Sequence, residues 1–329
     1  MDNNAVYDLV IIGSGMAGLT AGLYAGRYRM KTLIIGGDFG GEGTTAGETS
    51  NYPGFLQIDG FELMSKVKEQ VDALGVPFID GRVERVERRG HCFVVHVGSH
   101  EYISNTLLLA IGSKRRILGL PREAELKGNG VHYCVTCDGP LYRNRVVALV
   151  GGGDASVKGV NLIAEYVSKV YLIVRSKEIV AEPINTERMK KLGNKVEILL
   201  ETQVKELIGG KRLQKIGLSM PYKGSSELAI DGLFVEIGAD PDTRLARSLG
   251  VALDEKGYIE TDHMMRTSVD GVFAAGDAVN HFGHFKQYVT AAALGAVAAT
   301  AAYEDHKIHG DLCQLHALPV KVSAQKGIT

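Results

Sequence analysis

One short pattern constrains this chain more than any other: an apolar strand, a glycine turn and a helix, in that order, occur twice in 329 residues. Val6–Ile12 reads as a buried strand. It runs into Gly13-Ser14-Gly15-Met16-Ala17-Gly18, then a helix over Ala17–Tyr28 and a second strand over Lys31–Ile35. The order returns 138 residues later with Val146–Val150, the turn Gly151-Gly152-Gly153-Asp154-Ala155-Ser156, a helix over Ala155–Ser168 and a strand over Val170–Val174. In such a turn the first glycine permits the sharp bend and the second lets backbone approach a pyrophosphate. The third small residue lets helix and strand pack closely, and the helix N-terminus then faces the phosphates. The repeat distance is far beyond a solenoid period. It predicts two nucleotide-binding domains of similar design.

Three more apolar runs end in glycine: Leu107–Ile111 before Gly112, Leu233–Ile237 before Gly238, and Val272–Ala275 before Gly276. They read as strands that close the two sheets or cross between them. No low-complexity linker separates the halves, so one domain is expected to be inserted into the other. The fold class is α/β, with two Rossmann-like domains of three-layer ββα design. The first is expected to span 1–115 and 245–329, the second 116–244. The 37 basic and 38 acidic residues balance, which argues against nucleic-acid binding. Val6–Ile12 follows a polar start with no basic leader or cleavage site, so it reads as a strand rather than a signal peptide. Ala291–Ala302 is too short and too weakly apolar to span a bilayer. These features predict a cytoplasmic protein that engages no membrane. The tail from Asp311 to Thr329 has no clear period and reads as an extension or a disordered segment.

Cys134-Val135-Thr136-Cys137 is the sharpest chemical signal. Two cysteines three apart can reach the Cα separation of roughly 4.4–6.8 Å that a disulfide needs. The ring they close is small, which favours a reducible bond over a structural one. Asp138 follows directly and can supply and remove protons. A structural zinc is the competing use, but it wants about four ligands and only one pair is close in sequence. His132 is the one nearby residue that could assist. Cys92, among Phe93, Val94 and Val95, reads as a buried thiol. Cys313 falls in the tail and receives no role; neither is read as having a partner.

These motifs, with Asn51-Tyr52-Pro53-Gly54 and Phe273-Ala274-Ala275-Gly276-Asp277 in the same order, resemble the low-molecular-weight thioredoxin reductase family, and within it the archaeal members. The resemblance covers about residues 5 to 310. It implies an FAD-dependent homodimer that passes electrons from NAD(P)H through FAD and the cysteine pair to thioredoxin or a glutaredoxin-like protein, rotating its nucleotide domain between two arrangements. By that resemblance Gly13, Ser14, Gly15, Ala17, Gly18, Gly36, Gly37, Gly40, Gly41 and Glu42 hold FAD. Asn51, Val83, Ala110 and Gly112 lie near it, and Gly276 and Asp277 meet its pyrophosphate and ribitol. Lys286, Gln287 and Tyr288 match a flavin-contacting segment with two changes. Gly151, Gly153, Asp154, Ala155 and Ser156 belong to the nicotinamide nucleotide. Cys137 faces the flavin, Cys134 attacks the substrate disulfide, and Asp138 is the acid.

The chain also departs from the pattern. The usual acidic ribose partner after the second strand is replaced by Gly36, leaving Asp38 as either a substitute or a solvated loop residue. The family's arginine cluster for a 2′-phosphate reads Val174-Arg175-Ser176, with Lys177 near and Val180 at the later position. Arg175, Ser176 and Lys177 either receive NADPH or merely decorate a strand end, in which case NADH or a non-nicotinamide donor serves. The residues also leave room for a different disulfide partner, for an FAD-dependent NAD(P)H oxidase, and for a non-catalytic redox sensor.

Overall fold

The computed structural model describes residues 6–283, 285–309 and 313. The chain forms two compact units. Unit 1 joins the residues up to Ser113 to those from Pro241 onward, and unit 2 is Lys114–Asp240, inserted between them.

Unit 1 is built on a parallel sheet. Strand Val6–Ile12 lies between Thr32–Gly36 and His100–Leu109, and Phe78–Asp80 extends the sheet beyond Thr32–Gly36. Strand His100–Leu109 serves two partners. Its first half pairs antiparallel with Cys92–Val97, which pairs in turn with Arg85–Arg89, while Leu107–Leu109 pairs in parallel with Val272–Ala274. The antiparallel meander therefore branches from the parallel sheet within a single strand. The sequence marks only the apolar end of it, because His100, Glu101, Ser104, Asn105 and Thr106 make its first part mostly polar. Helices Met16–Arg27 and Tyr288–His309 pack together in this unit, where Gly295 has no room for a Cβ: that atom would fall 2.1 Å from the Ala17 carbonyl oxygen. Among the described residues no helix is long and apolar enough to cross a membrane.

Unit 2 has five parallel strands in the spatial order Val131–His132, Gly232–Val235, Val146–Val150, Lys169–Ile173, Val196–Leu199. Side chains alternate across this sheet with the period of two that a strand imposes. Val147 and Leu149 join Val157, Val160 and Ile163 of helix Asp154–Ile163 in one core. Ala148 and Val150 join Leu207, Ile216 and Leu228 of an antiparallel three-stranded layer in another. That is the three-layer ββα arrangement. The helix stops short of the predicted Ser168 because the chain turns back there. Tyr166 accepts from the Asn144 N–H at 2.9 Å, and the Ser168 N–H donates to Arg145 at 2.8 Å, which leads straight into the next strand.

Two disulfides join described residues. Cys134–Cys137 links the expected pair. Cys92–Cys313 is not expected: the two residues are 221 apart, both are 1 % exposed, and they are bonded. The reading of Cys92 as a free thiol and of Cys313 as unpaired is thus corrected. Spacing cannot reveal such a bond, because only the fold brings a meander strand and the residues beyond the last helix together. The remainder of the tail lies outside the described residues.

Candidate functional site

In unit 1 the first glycine turn sits where strand Val6–Ile12 meets helix Met16–Arg27, at the carboxyl edge of the sheet. Gly13 and Gly18 are required by packing. A Cβ on Gly13, whose φ is 116°, would lie 2.1 Å from the Ala110 carbonyl oxygen, and one on Gly18 would lie 2.0 Å from that of Gly13. Gly15 is different. A Cβ there would meet only the Gly40 carbonyl oxygen at 3.9 Å, in ordinary contact. Packing does not demand glycine at 15, so the open space in front of it is the feature that does. Gly15 is also the N-cap of its helix, without a side-chain cap and with no acidic residue in the first turn. The first-turn N–H groups are therefore available to an anion. Ser14 is buried and donates to the Asp38 carbonyl at 3.0 Å, tying the turn to the loop after the second strand. The Asp38 side chain itself is exposed.

Other sequence-predicted residues gather round this turn. Gly40 donates its N–H to the Ser14 carbonyl at 3.0 Å, Gly41 approaches Gly15, and Ala17 touches the position a Gly276 side chain would take. Gly36 backs onto Ser14 and pairs with Asp80, Gly37 lies beside Gly81 and Arg82, and Val83, next in the chain, is buried. Ala110 closes the floor beneath Gly13, with Gly112 just beyond. Asn51 donates to Gln287 at 3.1 Å across 236 residues of chain. Tyr288 donates to the Gly43 carbonyl at 2.5 Å, and burial pushes its hydroxyl up to about 12. Lys286 donates to the Val279 carbonyl and lies 4.5 Å from the Tyr258 ring centroid; burial lowers its proton affinity. Asp277 is the most telling. Burial raises its carboxyl, and the Glu42 carboxylate adds to that, while Lys286 opposes both. A desolvated carboxylate is costly unless a donor meets it, and a polyhydroxyl ligand would supply one. Space before Gly15, uncapped amides and Asp277 together fit a dinucleotide whose pyrophosphate lies on the turn.

Unit 2 repeats the design with one elaboration. A Cβ on Gly151, at φ 148°, would fall 2.2 Å from the Glu236 carbonyl oxygen, whereas one on Gly153 would meet nothing within 4 Å. Ser156 donates to the Gly153 carbonyl at 2.6 Å, and Ala155 lies in the first turn of the helix. Asp154 does not face the turn's open side. Its carboxylate accepts from the Glu182 N–H at 3.0 Å and from Asn185 at 2.9 Å. Those bonds hold residues 176–185 against the turn, and the Val180 N–H donates to the Gly152 carbonyl at 2.8 Å. Ser176 is folded onto Glu178 at 2.7 Å, and Arg175 and Lys177 are exposed beside it.

The cysteine pair occupies the start of a short helix, Val135–Asp138. The Cα atoms are 5.3 Å apart. The Cys137 N–H donates to Cys134 Sγ at 3.1 Å. When the bond opens, that amide favours negative charge on Cys134. Among the described residues no group of His, Cys, Asp and Glu could hold a metal ion. The segment before the pair is held by Glu123, a buried carboxylate accepting from the N–H groups of Leu118, Gly119 and Leu120 and from Tyr133. Asp138 is not alone. His132 Nδ1 lies 2.9 Å from its Oδ2, and His132 Nε2 lies 2.6 Å from the Tyr142 hydroxyl. From the sequence, His132 is weighed only as an aid to zinc and Tyr142 is passed over. The two lie ten residues apart on different elements, and nothing in their spacing marks them.

Two glycine turns on parallel sheets and a disulfide in the inserted unit define a class, and the sequence falls in it: the chain belongs to the pyridine nucleotide-disulphide oxidoreductase family, which matches residues 7–295. Within that family it is similar to the thioredoxin reductase of Listeria innocua, with 38% identity over 89% of this chain and 92% of that one. Among solved structures it resembles Lactococcus lactis thioredoxin reductase in its FR conformation, with TM-score 0.86 and 35% identity over 91% of this chain and 98% of the other. It also resembles T. acidophilum thioredoxin reductase, with TM-score 0.85 and 30% identity over 92% and 99%.

Proposed function

We infer that this chain is a thioredoxin-disulfide reductase, with unit 1 binding FAD and unit 2 binding a nicotinamide nucleotide and carrying the Cys134–Cys137 disulfide. The observation that carries the reading is that disulfide, set at a helix start beside a carboxyl group in a chain that matches thioredoxin reductases along nine-tenths of its length. FAD supplies the link between a two-electron hydride donor and a two-electron disulfide acceptor. In unit 1, Gly13, Gly15 and the first-turn amides would hold the pyrophosphate and Asp277 would accept from ribitol hydroxyls, while Asn51 holds Gln287 and Tyr288 is fixed on the Gly43 carbonyl at what would be the flavin end. In unit 2, the turn at Gly151–Ser156 receives the donor's phosphates.

Two electrons and two protons convert the Cys134–Cys137 bond into two thiols. The Asp138 carboxylate takes the Cys134 proton, the Cys134 thiolate attacks one sulfur of the thioredoxin disulfide, and the bond between the two partner sulfurs breaks. Asp138 gives its proton to the thiolate that leaves. Cys137 next attacks Cys134, restoring the intramolecular disulfide, and the proton it loses passes to the second partner sulfur, which leaves as a thiol. Atoms and electrons balance: one disulfide closes as another opens. The expected working form is a homodimer, as the family resemblance implies.

Cys137→Ser tests the reading. The variant should keep its flavin absorbance and lose thioredoxin reduction by at least a hundredfold. Undiminished turnover would sink it.

A further inference from the structure

Asp138 must be held in place in two states, as an acid before it gives up a proton and as a carboxylate afterwards. A pure donor such as an arginine or a backbone N–H suits only the second, and would fix the group as a carboxylate. His132 differs from such donors in what stands behind it. Its ring is 4 % exposed and stacks on Phe234 at 5.2 Å with an interplanar angle of 25°. Its Nε2 meets a hydroxyl, that of Tyr142, and a hydroxyl either donates or accepts. Room for the Tyr142 ring comes from Gly232, where a Cβ would lie 2.4 Å from the tyrosine Cε1.

We propose that His132 is the positioning residue for Asp138, and that the Tyr142 hydroxyl behind it lets His132 hold the carboxyl in both protonation states. With Asp138 ionised, Nδ1–H donates to it and Nε2 accepts from Tyr142. With Asp138 protonated, its O–H donates to Nδ1, and Nε2–H donates to the Tyr142 oxygen. Both arrangements need one proton on the imidazole, on Nδ1 in the first and on Nε2 in the second. The heavy atoms do not move, and neither nitrogen is left buried without a partner. Arg212 is hydrogen-bonded to the Tyr142 hydroxyl, and as a pure donor it occupies one lone pair and leaves the other for Nε2–H; Asp231 and Asp138 itself are the other charged groups that face the tyrosine. In the oxidised protein Cys134 and Cys137 are bonded and do not titrate. The inference rests on the reading that Asp138 is the acid of the exchange.

The test uses the oxidised, flavin-loaded protein. Infrared spectra are collected across pH, and the Asp138 carboxyl band is the one missing in Asp138→Asn. His132→Leu removes the donor to the carboxylate and should raise the midpoint of that band by about one pH unit, the effect of one charge-assisted hydrogen bond. Tyr142→Phe should lower it. Without the hydroxyl, a buried Nε2–H would have no acceptor, so the ring keeps its proton on Nδ1 and favours the carboxylate. His132→Gln, whose amide can turn either end to Asp138, should restore a midpoint near the parent's. Opposite shifts from two neighbouring variants are what a merely structural role would not produce. Midpoints that coincide with the parent's, or move together, would overturn the inference. Where His132→Leu does not fold, Tyr142→Phe alone decides by the sign of its shift. The same proteins are then reduced and mixed with oxidised thioredoxin. A parent that leaves thioredoxin oxidised counts against the proposed function, and the infrared comparison is unaffected by that result.

Discussion

Breaking Cys92–Cys313 should cost unit 1 much of its stability while leaving the Cys134–Cys137 chemistry intact. The bond closes a loop of 221 residues. In the chain-entropy treatment, a loop of that length removes denatured-state freedom worth about 5 kcal/mol at 25 °C. Much of the loop is unit 2, which can stay folded while unit 1 opens. Counting only the roughly 90 loop residues that belong to unit 1 changes the figure little, because the dependence is logarithmic, and it stays near 5 kcal/mol. Measured bonds often deliver less, so the expected loss is about 3–5 kcal/mol. For a unit of this size each kcal/mol moves Tm by about 2–4 °C, so a fall of about 10 °C is expected. The assay is calorimetry of the parent, Cys92→Ala, Cys313→Ala and the double variant, with thiols counted after denaturation without reductant. The parent should show no titrating thiol, and the double variant should be no less stable than either single one, since each already lacks the bond. Two thiols in the denatured parent, or a Cys313→Ala variant that melts within about 2 °C of it, would refute the reasoning.

Three further outcomes follow from the two proposed nucleotide sites. If exposed Arg175 and Lys177 receive a 2′-phosphate, stopped-flow reduction of the flavin by NADPH should outpace that by NADH at least tenfold, and Arg175→Ala should erase the difference; equal rates in the parent would show these to be ordinary surface charges. Gly15→Ala should weaken flavin retention on dialysis with a small change in the melting of the flavin-free protein, whereas Gly18→Ala should unfold or fail to express, because only the second Cβ meets backbone at 2.0 Å. The raised carboxyl of Asp277 gives a stability that is present at low pH and lost as pH rises through its folded-state value, since the unfolded group ionises more readily. Asp277→Asn should therefore raise Tm of the flavin-free protein at neutral pH and flatten its fall with pH above the ordinary carboxylate range, while weakening flavin binding; an unchanged thermal profile would show the carboxylate to be well solvated.

The parts of the fold legible in sequence are those with a local cause. Val6–Ile12 and Val146–Val150 are apolar runs closed by a glycine, and the structure ends both strands just before that glycine. Strand His100–Leu109 is half visible, because its first residues are mostly polar and His100 and Glu101 are exposed. The cysteine pair announces itself by spacing, and Asp138 by adjacency. Partnerships made by the fold leave no such trace. Cys92 and Cys313, His132 and Tyr142, and Asp154 with Asn185 are each separated by at least ten residues and sit on different elements. Asp154 shows the limit well: it stands inside a phosphate-type turn, yet its carboxylate serves the loop beside it.

The split of unit 1 into two stretches of chain has a consequence for how the protein is born. Strand Val272–Ala274 docks on Leu107–Leu109, and Gly276 and Asp277 follow it directly. During synthesis, residues 114–240 are complete and free to fold while the first hundred still lack this neighbour and the long helix that covers Met16–Arg27. The cradle proposed for the flavin accordingly assembles only after Asp277 has emerged, and a ribosome stalled before residue 272 should carry a nascent chain with an unzipped sheet edge and no yellow ligand.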